Sequence, residues 1–280
     1  MTAIKLAVLG NPVDHSLSPQ LHAFFGEHCG LDVSYTRVKV PHRHFDECAS
    51  RFFAEGGTGC NVTVPCKGEA LAFAQRMTHR AQLAGAANTL CHLDADTFLA
   101  DNTDGAGLVM DLGALGFSLR NSRILIIGAG GAARGILDEL RHEQPASITI
   151  TNRTYLRALE LSRRFEGVEA AEQKDLHPGF DLIINASASS LHQVLPMLDD
   201  RVLSGCSLAY DLMYTPTSQT VFTRHAAKLG VAQVSDGLGM LICQGALSFR
   251  LWTGREPDLD AARSHMRTLL ASMMTAQSAP

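Results

Sequence analysis

No apolar run in this 280-residue chain approaches the ~20 residues that a membrane-spanning helix needs, which excludes a helical membrane protein. The opening MTAIKLAVLG has too short an apolar core for a secretion signal and reads as a first strand. Basic runs are absent as well. Lys and Arg number 24 against 28 Asp and Glu, a net charge of −4, which argues against a nucleic-acid partner. No C-x-x-C pair occurs among the seven cysteines, Cys29, Cys48, Cys60, Cys66, Cys91, Cys206 and Cys243. An odd number without paired spacing excludes a disulfide framework and suits free thiols in a reducing cytoplasm. The twelve histidines offer one close pair, His42-x-His44, which no Cys or carboxylate joins at ligand spacing, so no metal is expected. Asp14-His15-Ser16 holds the residue types of a catalytic triad, but a relay needs partners from separate segments. Internal repeats and low-complexity segments are also missing.

What the chain does have is alternation of strand and helix signals. Its composition, 46% hydrophobic and 19% charged, is ordinary for a globular protein, and its length suits one large domain or two medium ones. Strands are expected at 4–9, 34–40 and 59–64, then a hairpin of 89–93 and 97–100 around Asp94-Ala95-Asp96. Helices are expected at 20–29, 45–55 and 68–80, the first opened by Ser18 as cap and Pro19 at the first helical position. After Asp101-Asn102-Thr103-Asp104-Gly105, strands at 123–127, 147–151, 181–185 and 207–211 alternate with helices at 132–141 and 155–165. That order predicts an α/β fold with a doubly wound parallel sheet. Asp236-Gly237-Leu238-Gly239 breaks the pattern; helices follow at 240–252 and 260–276, and the tail 275–280 reads as frayed.

The segment RILIIGAGGAAR, residues 123–134, places Gly128-x-Gly130-x-x-Ala133 between a strand and a helix, the context in which this fingerprint binds a dinucleotide. The first glycine permits the turn, the second lets backbone approach a pyrophosphate, and the helix N-terminus receives its charge. At the end of the next strand an NAD site would present Asp or Glu to the ribose. Here stand Asn152-Arg153-Thr154, with Arg157 one turn on. Guanidinium groups bind a 2′-phosphate that a carboxylate would repel, so the cofactor is read as NADP.

Polar residues recur at strand ends: Ser16 and Ser18, Asn61, Thr63 and Lys67, Asn88, Asn102 and Asp104. With GNPVDHSLSP (10–19), NVTVPCK (61–67), GAANTL (85–90), DNTDG (101–105), GAGGAAR (128–134), NRT (152–154) and DGLGMLICQGA (236–246), the chain closely resembles the shikimate dehydrogenase family almost end to end. The resemblance implies reversible NADPH-dependent reduction of 3-dehydroshikimate to shikimate in aromatic amino-acid biosynthesis. It implies an N-terminal α/β substrate domain from residues 1–104 and 237–280, with a Rossmann-type NADP domain, 105–236, inserted between. Lys67 and Asp104 match the catalytic pair, and the sequence leaves open which is the formal acid–base. Ser16 and Ser18 match the hydroxyls for the substrate carboxylate, with no arginine near them in the sequence. Asn61, Thr63, Asn88, Asp104 and Gln244 match groups around the ring hydroxyls, and Tyr214 falls near a substrate-side tyrosine. The cofactor positions are Gly128, Ala129, Gly130, Gly131, Ala132, Asn152, Arg153, Thr154, Arg157, Ser187, Met213, Gly237 and Met240.

One departure stands out: the family's Asn-Ala-Thr-x-x-Gly-like turn beside the nicotinamide is here Asn185-Ala186-Ser187-Ala188-Ser189-Ser190-Leu191, without the glycine. The expected partners are a small-molecule substrate and NADP, with no nucleic acid and no membrane, in a monomer or homodimer. Rival readings are a quinate/shikimate dehydrogenase of broader range and a non-catalytic NADP-sensing module, the latter predicting loss of Lys67 or Asp104.

Overall fold

A computed structural model describes residues 3–94 and 97–277. The chain divides into two compact units, one of Met1–Gly107 with Ile242–Ser264 and one of Leu108–Leu241 with His265–Pro280. The sequence reading returns all of 237–280 to the first domain; in the structure 237–241 and the residues from His265 onward group with the second unit.

The first unit runs β1 (Ile4–Gly10), α1 (Ser18–His28), β2 (Val33–Lys39), α2 (Phe45–Ala54), β3 (Gly59–Val62), α3 (Lys67–Phe73), β4 (Arg76–Met77), α4 (His79–Ala84), β5 (Thr89–Asp94) and β6 (Thr97–Asp101). Its sheet has the order β2-β1-β3-β5-β6-β4. β1 is parallel to β2 and β3, while β5 is antiparallel to both β3 and β6. The centre of the expected 94–96 turn, Ala95-Asp96, lies outside the described residues. Strand alternation splits β1 between two cores. Ala7 and Leu9 join Phe45, Phe53, Val62 and Leu90 in one cluster, and Leu6 packs with Cys91 and Trp252 in the other.

The helix expected at 68–80 is broken into α3, β4 and α4. Ala74 turns extended after α3, Arg76 and Met77 pair with Leu99 and Ala100 of β6, and the Thr78 hydroxyl accepts from the Ala81 N–H at 3.3 Å to cap α4. A long-range strand pairing and a local cap override the helical period. α1 also starts one residue off the expected cap: Leu17 occupies the cap, and Ser18 and Pro19 are the first two helical residues.

The second unit begins within α5 (Asp104–Ala114). It continues through β7 (Arg123–Ile127), α6 (Gly131–His142), β8 (Ser147–Thr151), α7 (Tyr155–Ser162), β9 (Val168–Ala170), β10 (Leu182–Asn185), β11 (Leu208–Asp211), α8 (Val221–Lys228) and β12 (Gln233–Ser235). Then α9 (Leu238–Thr253) and α10 (Leu259–Gln277) complete the chain. The sheet is wholly parallel, in the order β12-β11-β10-β7-β8-β9. Counted from β7 this is the doubly wound order 3-2-1-4-5-6, whose ligand crevice lies where the order reverses, at the ends of β7 and β10. The short strands β9 and β12 and the helices α5 and α8 escape the sequence reading. The β9–β10 connection carries a short 3₁₀ turn, Gln173–Asp175, and the β10–β11 connection two, Ser190–His192 and Asp200–Leu203, where the other crossovers of this sheet use an α-helix. Among the described residues no helix is long and apolar enough to cross a membrane.

The single tryptophan, Trp252, donates its indole N–H to the Leu90 carbonyl at 2.9 Å. Its ring lies so close to Gly59 that a Cβ there would meet Nε1 at 2.1 Å. Overpacking of this kind costs about 1–3 kcal/mol. Gly59→Ala is therefore expected to lower the unfolding free energy by that amount, measured in urea through Trp252 fluorescence; an unchanged stability contradicts the packing described.

Candidate functional site

In the first unit the polar strand ends join into one hydrogen-bonded chain. Asn61 on β3 lies opposite Thr89 on β5. The Tyr35 hydroxyl donates to Asn61 Oδ1 at 2.7 Å, and Asn61 Nδ2 donates to Ser248 Oγ of α9 at 3.0 Å. The Ser248 and Thr89 hydroxyls are 2.7 Å apart, and Thr89 Oγ1 donates to Asn88 Oδ1 at 2.9 Å. The same Asn88 oxygen accepts the Thr103 N–H at 2.9 Å, while Asn88 Nδ2 lies 2.8 Å from Asp104 Oδ1 and 3.0 Å from Gln244 Oε1. Asp104, first residue of α5, accepts through Oδ2 from the ammonium of Lys67, first residue of α3. The two side chains are 9% and 19% exposed, so the pair is shielded yet the lysine reaches solvent.

The structure thus brings Asn61, Lys67, Asn88, Asp104 and Gln244 together. It adds Tyr35 and Ser248, which carry no motif, and Thr89 and Thr103, which lie inside the GAANTL and DNTDG segments but receive no role from the sequence reading. Thr63 lies just past β3, its N–H on the Leu9 carbonyl at 2.9 Å and its methyl against Gly10. Asn102 has a local role: its Oδ1 accepts from the Asp104 N–H at 3.2 Å and its Nδ2 donates to the Ala86 carbonyl at 2.9 Å. Ser16 and Ser18 hydroxyls are 3.1 Å apart. An arginine does stand beside them, since Arg37 Nη2 on β2 donates to the Ser16 carbonyl at 2.6 Å. Its distance in sequence hid it.

Below these serines His22 stacks on Tyr35 with ring centroids 4.5 Å apart. Burial, opposed by the Asn61 side chain, brings its pKa down to about 3, so it is neutral. Burial also pushes the Tyr35 phenol well above its ordinary value. Beside the catalytic candidates, Arg80 forks onto Asp101 with hydrogen bonds of 2.7 and 2.6 Å, and Thr78 Oγ1 donates to the same carboxylate at 2.7 Å.

In the second unit Gly128 ends β7 with φ +113°, its N–H on the Thr151 carbonyl at 2.8 Å. A Cβ there would come within 3.0 Å of the backbone of Ala186 and Ser187, so glycine lets the ends of β7 and β10 approach. At Gly130 and Gly131 a Cβ would meet nothing within 4 Å; the backbone at the start of α6 is open to a ligand. A cavity of about 580 Å³ is lined by Gly128, Asn152, Arg153, Thr154, Arg157 and Ser187. A smaller one, about 250 Å³, adjoins Ala129 and Gly130 and shares Arg157. Residue by residue the glycine cradle, the uncharged Asn152 and the arginines fit a dinucleotide bearing a 2′-phosphate. Ala132 is the second residue of α6. Met213 and Gly237 meet through a 2.9 Å hydrogen bond from the Gly237 N–H to the Met213 carbonyl; Tyr214 is next in that loop, and Met240 is buried in α9.

The turn that lacks the family glycine is held by hydroxyls. Asn185 Oδ1 accepts from Ser187 Oγ at 2.6 Å, and Ser190 Oγ donates to Asp211 Oδ2 at 2.5 Å. Asp211 also accepts from Thr220 Oγ1 at 2.6 Å, Asn185 Nδ2 at 3.2 Å and the Met213 N–H at 3.0 Å. Burial raises its pKa despite these donors. The carboxylate ties the ends of β10 and β11 together.

Three families match in chain order: shikimate dehydrogenase substrate binding domain over residues 8–90, shikimate/quinate 5-dehydrogenase over 112–198, and shikimate 5′-dehydrogenase C-terminal domain over 237–267. Shikimate dehydrogenase (NADP(+)) of Vibrio cholerae serotype O1 is 50% identical over 256 residues, covering 90% of this chain and 92% of that protein. The chain belongs to the shikimate dehydrogenase family. Shikimate 5-dehydrogenase of Thermus thermophilus, solved in complex with NADP(H) and shikimate, superposes with a TM-score of 0.84 at 36% identity over 93% of this chain and 99% of that one. An Ael1 enzyme from Pseudomonas putida superposes with a TM-score of 0.88 at 37% identity, over 94% and 98% of the two chains. The family fold is therefore shared throughout both units.

The Arg80–Asp101 pair gives a pH-dependent prediction. Burial alone would raise the Asp101 pKa, but Arg80 and Thr78 hold it below its ordinary value of 3.8. A depressed folded pKa stabilises fully above 3.8 and is lost as pH falls through the folded value. Arg80→Met is expected to cost about 2 kcal/mol or more at neutral pH, because it strands a buried carboxylate. In urea unfolding the gap to wild type should narrow below that pH; a gap independent of pH excludes the pair as its source.

Proposed function

We propose that this protein is an NADP-dependent oxidoreductase that reversibly reduces 3-dehydroshikimate to shikimate, in the supply of aromatic amino acids. Family membership supports the substrate, and the observation that carries the chemistry is the shielded Lys67–Asp104 pair with Asn88 and Gln244 against it. Bound NADPH supplies the hydride. The Lys67 ammonium delivers a proton to the carbonyl oxygen while the Asp104 carboxylate orients it, and the neutral amine then regains its proton from solvent, which its side chain reaches. Asn88 holds the Asp104 carboxylate, so both oxygens of that group are engaged, one by an amide and one by the ammonium. Asn61, Thr63, Asn88 and Gln244 hydrogen-bond the ring hydroxyls, with Tyr214 at the substrate side. Ser16 and Ser18 bind the carboxylate, their loop fixed by Arg37. Glycines 128, 130 and 131 with Ala129 and Ala132 cradle the pyrophosphate. Asn152, Arg153, Thr154 and Arg157 take the adenosine end, and Ser187, Met213, Gly237 and Met240 the nicotinamide end. Seven free thiols suit a cytoplasmic enzyme.

Steady-state rates with shikimate and quinate, each with NADP and NAD, test the proposal. Shikimate with NADP should dominate; comparable turnover of quinate indicates the broader enzyme, and no turnover indicates a sensing module. Lys67→Ala should lower kcat by about 10²–10⁴-fold with little change in KM. A near-normal kcat with raised KM would make Lys67 an anchor. Ser16→Ala should raise the KM for shikimate about tenfold, and an unchanged KM moves the carboxylate elsewhere.

A further inference from the structure

The smaller cavity of the second unit rests on no residue of the glycine fingerprint alone. Three guanidiniums line it: Arg134, in the first turn of α6, Arg157, in the first turn of α7, and Arg164, two residues past the end of α7. Glu160 is the one carboxylate of the lining, which leaves an excess of two positive charges. Among the described residues none of the three arginines pairs with a carboxylate. The Arg134 Nε is buried and has no acceptor there, an unfavourable state for a donor unless an anion completes it. The larger cavity is different in character. Its lining combines Asn152, Arg153 and Thr154 with the apolar run Val194, Leu195, Pro196 and Met197, a surface suited to the flat face of a base. Arg157 borders both cavities.

A phosphate monoester carries close to two negative charges at neutral pH and three acceptor oxygens, matching the charge excess and the donors of the smaller cavity. Building on the NADP reading above, we infer that the 2′-phosphate lies in this smaller cavity and that Arg134 and Arg164 determine cofactor specificity together with Arg157. Arg153 then belongs to the adenine wall. Arg134 closes the GAGGAAR segment one residue past the last fingerprint position, where the sequence reading gives it no role, and Arg164 lies beyond the end of α7, outside every motif. Glu160 opposes the phosphate and moderates its affinity.

Isothermal titration of the full chain with 2′,5′-ADP and with 5′-AMP separates phosphate recognition from adenosine recognition without turnover. The preference for 2′,5′-ADP over 5′-AMP should fall about threefold or more in Arg164→Gln and about tenfold or more in the Arg134→Gln/Arg164→Gln double variant. The Kd for 5′-AMP should stay within about twofold in both. Glu160→Gln should tighten 2′,5′-ADP alone, which a purely structural role would not do. Arg164 and Glu160 are exposed, so their single variants decide the matter even if loss of Arg134 unfolds the chain. A wild-type protein that binds the two probes equally would remove the NADP reading itself. Discrimination retained in Arg164→Gln, with no tightening in Glu160→Gln, would place the phosphate elsewhere and overturn this inference alone.

Discussion

The side chain of Asn88 is the constraint on which the first unit's polar centre depends. It is almost wholly buried, and a buried amide must find partners for its carbonyl and its two N–H groups. Its oxygen takes the Thr103 N–H and the Thr89 hydroxyl; its nitrogen faces Asp104 and Gln244. One amide therefore fixes where β5 begins, where α5 begins and which turn of α9 faces them. The Lys67–Asp104 pair inherits its geometry from this arrangement. A lysine at the first position of a short helix has a long, mobile stem, and it is the anchored carboxylate that gives its ammonium a single address.

The second unit solves a related problem with opposite means. At the reversal of strand order two loops must pass close together, and Gly128 makes room by having no side chain. The neighbouring loop is restrained by Asp211, a buried carboxylate surrounded by hydroxyl, amide and backbone donors. Polar restraint of this kind has direction, which apolar packing lacks, so it sets the path of the turn at 185–191, which contains no glycine. It also carries a cost, visible in the raised pKa of Asp211.

The serine loop shows how a site can depend on groups that never touch a ligand. Arg37 holds the Ser16 carbonyl from β2, and His22, neutral in its buried position, supports Tyr35, which in turn holds Asn61. These residues act through others. Their charge state and packing set the positions of the hydroxyl and amide groups that the sequence alone had marked.

By itself the sequence determined the alternation of β and α, the glycine turn at 128–131, the absence of a carboxylate at Asn152 and the polar identities at 61, 67, 88 and 104. Each of these rests on local chemistry: period, turn geometry or the charge of one side chain. The tertiary structure alone decided that 68–80 would break, because Arg76 and Met77 gain a strand partner more than twenty residues away. It decided that Tyr35, Thr89 and Ser248 would complete the polar chain, that Arg37 would reach Ser16, and that Arg134 and Arg164 would face one cavity. Those relations join residues far apart in sequence through hydrogen bonds and packing, and such distances leave no periodic or compositional trace for a sequence reading to find.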